Sequence, residues 1–177
     1  MEHCECDSEA TISEYIRSYY QGRTLSTDHF QRQLFDGARE HFDHGEYERS
    51  YQLLSMLQCF YPDSAHIQRA QDECTFALAV QRFNEEQYQN ALRLLHYISD
   101  VRRNDPVVQH WIGKSMFFIS GGPQVEPLGI QRNQLNGLLK MNEAYTIYVH
   151  NNPNQDSVTK YNMMQDFCIC LASAMFL

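Results

Sequence analysis

The sequence predicts an all-α chain of about seven or eight helices, laid out as consecutive antiparallel hairpins. Three observations predict it. Apolar residues recur three and four apart through most of the chain, the period of one helix face. Glycine and proline are sparse, eight and five among 177 residues, which leans the composition towards helices. The same stripe–turn–stripe phrase also returns as the chain proceeds.

The first stripe is Phe30, Leu34, Ala38 and Phe42, four apart over 27–44, with Ser26 or Asp28 as candidate caps and Gly45 as its stop. Tyr47, Tyr51, Leu54 and Leu57 form the second, closed by Tyr61-Pro62. One tight glycine turn between them makes a hairpin. Ile67, Ala70, Cys74 and Ala77, extended by Val80 and Phe83, begin the next. After the polar turn Asn84-Glu85-Glu86 comes its return helix, carrying Tyr88, Ala91, Leu92, Leu95 and Ile98. Asp105-Pro106 opens a helix through Val107, Val108, Trp111, Ile112, Ser115, Met116 and Ile119. Gly121-Gly122-Pro123 breaks it, and residues to about 130 read as a loop. Leu135, Leu138, Leu139, Asn142 and Tyr145 mark a long helix to Asn151-Asn152-Pro153, and a last apolar helix runs from about 156 to the end.

Charge and composition narrow the function. Twenty-two acids against 14 bases give a net charge of −8, the wrong sign for a general nucleic-acid binder. No run of about 18 apolar residues suggests a membrane span. The first ten residues, MEHCECDSEA, hold four acids and no base, unlike a secretory or mitochondrial leader. Cys4, Cys6, Cys59, Cys74, Cys168 and Cys170 form no CxxC pair, so they read as reduced thiols of an intracellular protein, in the cytoplasm or nucleus. Cys168 and Cys170 fall on different faces of a helix.

At this point the residues resemble the tetratricopeptide repeat (TPR) family. A unit laid from Gln31 to Ser64 places Leu34 at the first large apolar position and Ala38 at the small crossing position. Gly45-Glu46-Tyr47 then falls on the turn, Ser50 where the family usually has Ala, Leu54 in the second helix and Pro62 at the close. A unit from Asp72 to about 105 brings Leu78, Ala79, Phe83, Tyr88, Ala91, Leu95 and Ile98 into register. One from Pro106 to 120 places Ile112-Gly113 at the apolar–small pair. The first two units stand 41 rather than 34 residues apart, so the helix over 64–84 is about two turns longer than usual. The third unit carries an insertion before its second helix. The division implied is an acidic segment with a short helix over 1–26, a repeat array over 27–120, a loop over 121–130 and C-terminal helices over 131–177.

The resemblance implies a right-handed superhelix whose concave face, lined by the first helix of each unit, binds a polypeptide segment. Carried over residue by residue, that groove comprises Arg32, Phe35, Arg39, Phe42 and Asp43, then Glu73, Phe76, Val80, Phe83 and Asn84, then Val107, His110, Lys114, Phe117 and Phe118. Phenylalanines flanked by Arg39 and Lys114 suit a segment with apolar anchors and some acidic character. The N-terminal stretch Thr11–Tyr20, or a second copy of the chain in a homodimer, is an alternative occupant, and phenylalanines at helical spacing also serve as core. Within the superfamily, Phe42…Glu46-Tyr47, Ala91-Leu92…Leu95…Ile98 and Arg103 before Pro106 are similar to the N-terminal modules of anaphase-promoting complex subunits, which pair and scaffold a ubiquitin ligase. Gly22-Arg23-Thr24-Leu25 and the run from Gln87-Tyr88 to Asp105-Pro106 are similar to the TPR chaperones of type III secretion. Both imply a surface that holds another polypeptide.

Other constellations point away from chemistry. His41 and His44 share a face near a helix C-terminus, where the helix dipole favours them without a metal. Glu85-Glu86 diverge in a polar turn and read as solvated. Arg102-Arg103 read as a surface patch or as caps on the preceding helix's carbonyls. No phosphate loop, nucleophile elbow or Cys–His pairing in a recognisable context occurs, so no enzyme, cofactor or metal is expected.

Overall fold

A computed structural model describes residues 27–98, 100–119, 132–154 and 157–175. Among them all regular structure is helical, so the all-α expectation holds. The elements are α1 (Thr27–Asp43), α2 (Tyr47–Phe60), α3 (Ala65–Asn84), α4 (Tyr88–Tyr97), the single turn α5 (Asp100–Arg103), α6 (Pro106–Ile119), α7 (Arg132–Asn151) and α8 (Ser157–Met175). Helix α1 begins at Thr27, so Asp28 lies inside it. Ser26, the segment over 1–26 and the Gly-Gly-Pro loop lie outside the described residues. The chain forms two compact units that divide within α3, between Cys74 and Thr75.

The two turns expected from Gly45 and from Asn84-Glu85-Glu86 have the same geometry. Gly45 takes φ 77°, which L side chains adopt only at a cost. Its N–H donates to the Phe42 carbonyl at 2.9 Å and that of Glu46 to His41 at 2.8 Å, satisfying two carbonyls at the end of α1. Glu86 takes φ 61°, its N–H donates to Phe83 at 2.9 Å, and that of Gln87 donates to Arg82 at 2.9 Å. An edge-on ring pair braces each turn: Phe42 on Tyr47, with centroids 5.2 Å apart, and Phe83 on Tyr88 at 5.0 Å. Nothing in the structure explains why the second turn carries Glu rather than Gly at its left-handed position.

Core packing follows the stripes. In the first unit Phe30, Leu34 and Ala38 of α1 pack with Leu53, Leu54 and Leu57 of α2 and with Ile67 and Cys74 of α3. In the second, Ala79, Leu95, Ile98, Val108 and Ile112 form one cluster, and Phe117, Leu138, Met141 and Cys170 another. The turn α5 has no counterpart in the apolar periodicity, because charged residues build it. Arg103 reaches back to the Ile98 carbonyl through Nε at 3.2 Å and Nη2 at 2.8 Å, the capping role expected of it. Asp105 then accepts the Val107 N–H at 2.8 Å, and Pro106 sits at the first helical position of α6.

Helix α6 packs antiparallel on α7, which supplies the third hairpin's second arm. Gly113 and Gly137 meet at the crossing. A Cβ on Gly113 would stand 2.7 Å from the Gly137 carbonyl oxygen, and one on Gly137 would stand 2.6 Å from that of Gly113. These obstacles are backbone and cannot swing aside. Lys140 adds a hydrogen bond to Gln109 at 2.6 Å. Among the described residues no helix is long and apolar enough to cross a membrane.

Substitution at this crossing and at the second turn should therefore act in opposite directions. Gly113→Ala or Gly137→Ala is expected to destabilise the chain by about 2–3 kcal/mol, the cost of overpacking a close contact. Glu86→Gly should stabilise it by about 1 kcal/mol by relieving the left-handed residue. Urea unfolding followed by circular dichroism measures both, and a neutral Gly113→Ala would refute the backbone contact.

Candidate binding site

In the first unit three helices enclose a cavity of about 310 Å³. Helix α1 contributes Phe35, Ala38, Arg39 and Phe42, which share one face by their spacing of three and four. Helix α2 supplies Ser50 and Leu54, and α3 supplies Ala70 and Glu73. Phe35 lies tilted against His66 with ring centroids 4.7 Å apart, and Phe42 is held by Tyr47, so both rings are braced from behind. Arg39 and Glu73 are exposed at the rim. The Arg39–Asp43 pair, at 3.9 Å with both side chains mostly in water, holds the guanidinium only weakly.

The polar atoms near the cavity are few. Cys74, one turn beyond Ala70, donates its S–H to the Tyr47 carbonyl oxygen at 3.2 Å, and burial pushes its thiol above the ordinary range. Such a thiol is a packed side chain rather than a nucleophile. Ser50 is buried, and its hydroxyl lies beside the Cys74 sulfur.

Of the positions assigned to a groove, Phe35, Arg39 and Phe42 converge on this cavity, as does Glu73, while Arg32 is exposed and does not line it. In the second unit the assignment needs correction. His110, Lys114 and Phe117 do share a face of α6, but α8 covers that face. Phe117 is fully buried against Leu138, Met141 and Cys170. His110 is buried, with Nε2 3.2 Å from Asp166 of α8, and Lys114 Nζ lies 2.8 Å from the same carboxylate. Lys114 also stands over the rings of Trp111 at 4.8 Å and Phe83 at 5.2 Å. Phe83 is itself buried, edge-on to Trp111 and to Phe118 at 5.3 and 5.4 Å. Phe76 is half-buried, edge-on to Trp111 at 6.5 Å and under the Arg102 guanidinium at 5.9 Å, and Val80 is half-buried. Phe83, His110, Lys114 and Phe117 are packing groups of the second unit, while Phe76 and Val80 stay half-buried. The lining residues that periodicity did not assign to a site are Ala38, Ser50, Leu54 and Ala70, whose spacing marks them as core.

The histidines singled out as a metal-like pair have separate partners: His41 Nδ1 meets Glu46 at 2.6 Å and His44 Nδ1 meets the Glu40 carbonyl at 2.7 Å. Cys168 is exposed and Cys170 buried, as their spacing requires, and burial pushes the Cys170 thiol up to about 12. The chain matches no protein-family model and no curated protein sequence.

Asp166 is the group on which the docking of α8 turns. Burial alone would raise its pKa, but hydrogen bonds from His110 and Lys114 outweigh burial and leave it below the ordinary carboxylate range. A carboxylate lowered by folding contributes stability that is present above its unfolded value and lost as the pH falls through its folded value. Asp166→Ala is expected to cost about 1–2 kcal/mol near neutral pH, less than a fully buried pair because the carboxylate keeps some contact with water. The loss should shrink below about pH 4, where the unfolded carboxylate is already protonated. Thermal melts of both chains across that range measure it, and a pH-independent difference would refute the assignment.

Proposed function

We propose that the chain is a non-enzymatic polypeptide-binding module and that the first-unit cavity takes an apolar anchor side chain of the partner. The observation that carries this reading is the cavity itself. It is apolar, built on three helices rather than on loops, and rimmed by Arg39 and Glu73. At about 310 Å³ it sits at the small end of ligand sites, the size for one side chain or small group rather than an extended cofactor. The groups around it suit binding more than bond-making, since the nearest thiol gives its hydrogen to a carbonyl and is raised by burial.

The TPR resemblance supports the same mechanism. It fits a scaffold subunit of the kind found in the anaphase-promoting complex and, equally, a chaperone of secreted proteins. Self-association is a second reading, favoured by the outer surface of α8. Val158, Tyr161, Met164, Cys168 and Ile169 are all exposed there, and Lys160 and Asp166 are the only charged residues in the helix. On that reading α8 meets another protomer while the cavity stays open.

Selection from a displayed random-peptide library, followed by fluorescence anisotropy with the selected peptide, tests the cavity. Phe35→Ala with Phe42→Ala should weaken binding at least tenfold, since each braced ring contributes roughly 1.5–3 kcal/mol of apolar contact. Helicity should be nearly unchanged, because both rings are half-buried. Binding that survives the double substitution would exclude this cavity.

A further inference from the structure

We infer that the outer face of α8 pairs with the same face of a second copy of this chain, along a seam centred on Gln165. This rests on the self-association reading of α8 and is independent of the first-unit cavity.

The seam is written in the spacing of α8. Val158, Tyr161, Gln165, Cys168 and Ala172 recur alternately three and four apart, and all five are exposed. That alternation keeps one stripe turned towards a neighbouring helix, as in coiled coils. Met163 and Cys170 lie on the opposite side of α8 and are buried, so the stripe points away from the core of the second unit. The residues beside it, Asn162, Met164, Ile169 and Leu171, carry no charge.

Helix α7 widens this face. Leu135, Leu138, Asn142 and Tyr145 form one stripe of α7. Leu138 packs with Cys170, and the Tyr145 hydroxyl donates to the Met164 sulfur at 3.8 Å, so that stripe runs along α8. Leu135 at its end and Leu139 beside it are both exposed. Seven of the ten large apolar side chains exposed among the described residues belong to α7 and α8, so the exposure is concentrated rather than scattered. A helix of 19 residues is about 28 Å long, and a second helix alongside makes the face about 20 Å wide. Two such faces bury about 1,100 Å² in all, enough for a specific interface.

Two features choose a second copy over another partner. The first is charge. The whole chain carries −8, yet α7 and α8 together hold three bases, Arg132, Lys140 and Lys160, and two acids, Glu143 and Asp166. Asp166 is turned to His110 and Lys114, Lys160 to the Pro153 carbonyl and Lys140 to Gln109. Two acidic chains can therefore meet here with little repulsion, whereas a charged segment would find no counter-charge along the seam. The second feature is Gln165. Its amide both donates and accepts, so it complements its own copy. It lies one residue from the middle of α8, and two helices paired at their midpoints about a twofold axis bring the two amides close. A single amide in a largely apolar seam fixes the register of such a pair.

Light scattering on the full chain across micromolar concentrations tests this, and the mass should be twice that of one chain. Gln165 is exposed, so Gln165→Lys and Gln165→Glu should leave circular dichroism unchanged. Each should weaken the dimer at least tenfold by setting like charges against each other. Mixed in equal amounts, the two variants should recover a one-to-one heterodimer, which a folding defect cannot produce. A monomer at every concentration would overturn the seam together with the self-association reading. A dimer that both variants leave intact would keep self-association but move it off α8, overturning the seam. Weakened dimers without recovery in the mixture would show that Gln165 does not face its counterpart and overturn the proposed centre. Recruitment of a monomeric chain to phosphatidylcholine vesicles, lost in both variants, would reassign the face to a lipid surface.

Discussion

Small residues where helices cross are the constraint on which the rest of this structure depends. Helices can approach closely only where side-chain bulk is absent, and the chain puts Ala38 and Ser50 in its first hairpin and Gly113 and Gly137 in its third pair. In the second unit the approach goes to backbone contact, with each glycine facing the other's carbonyl, and no free volume remains beside it. In the first unit the crossing residues keep their Cβ atoms. Ala38, Ser50 and Ala70 are small, while Phe35 and Phe42 on either side are large and turned against His66 and Tyr47. The space between the large and the small residues is the cavity. The cavity is thus a by-product of how the helices are spaced.

The same kind of helix face meets two fates. On α1, Phe35, Arg39 and Phe42 remain open to the cavity. On α6, His110, Lys114 and Phe117 hold the equivalent spacing but are covered by α8. The difference lies in α8. Its Asp166 points inward to meet Lys114 and His110, so burying two basic groups of α6 is offset by an acid rather than left as bare desolvation. The rings of Phe83 and Trp111 receive the lysine from the other side. A stripe that looks like a recognition surface becomes an internal ion cluster once its complement arrives from more than fifty residues downstream.

The repeated turn shows how local rules and packing share the work. Both hairpins close with the same pair of carbonyl-satisfying hydrogen bonds and the same braced aromatic pair, although one uses Gly45 and the other Glu86 at the left-handed position. The second turn keeps its shape without the residue that would make it cheap, so the edge-on contact of Phe83 with Tyr88 and the fit of the flanking helices carry that cost.

What the sequence by itself determined was everything set by neighbours along the chain. The helix period, the turn at Gly45, the start at Asp105-Pro106, the cap from Arg103 and the opposite fates of Cys168 and Cys170 all follow from spacings of a few residues, because a helix presents such residues to one another whatever surrounds them. The candidate site was half legible. Phe35, Arg39 and Phe42 could be placed on one face of α1, whereas Ser50 and Ala70 read as ordinary core, since their role depends on a space left between three helices. Only the tertiary structure decided which aromatic stripes stay accessible. His110, Lys114 and Phe117 were withdrawn by a helix and a carboxylate distant in sequence, and Phe83 by Trp111 and Phe118 of α6, and one-dimensional periodicity holds no information about which face another element will cover.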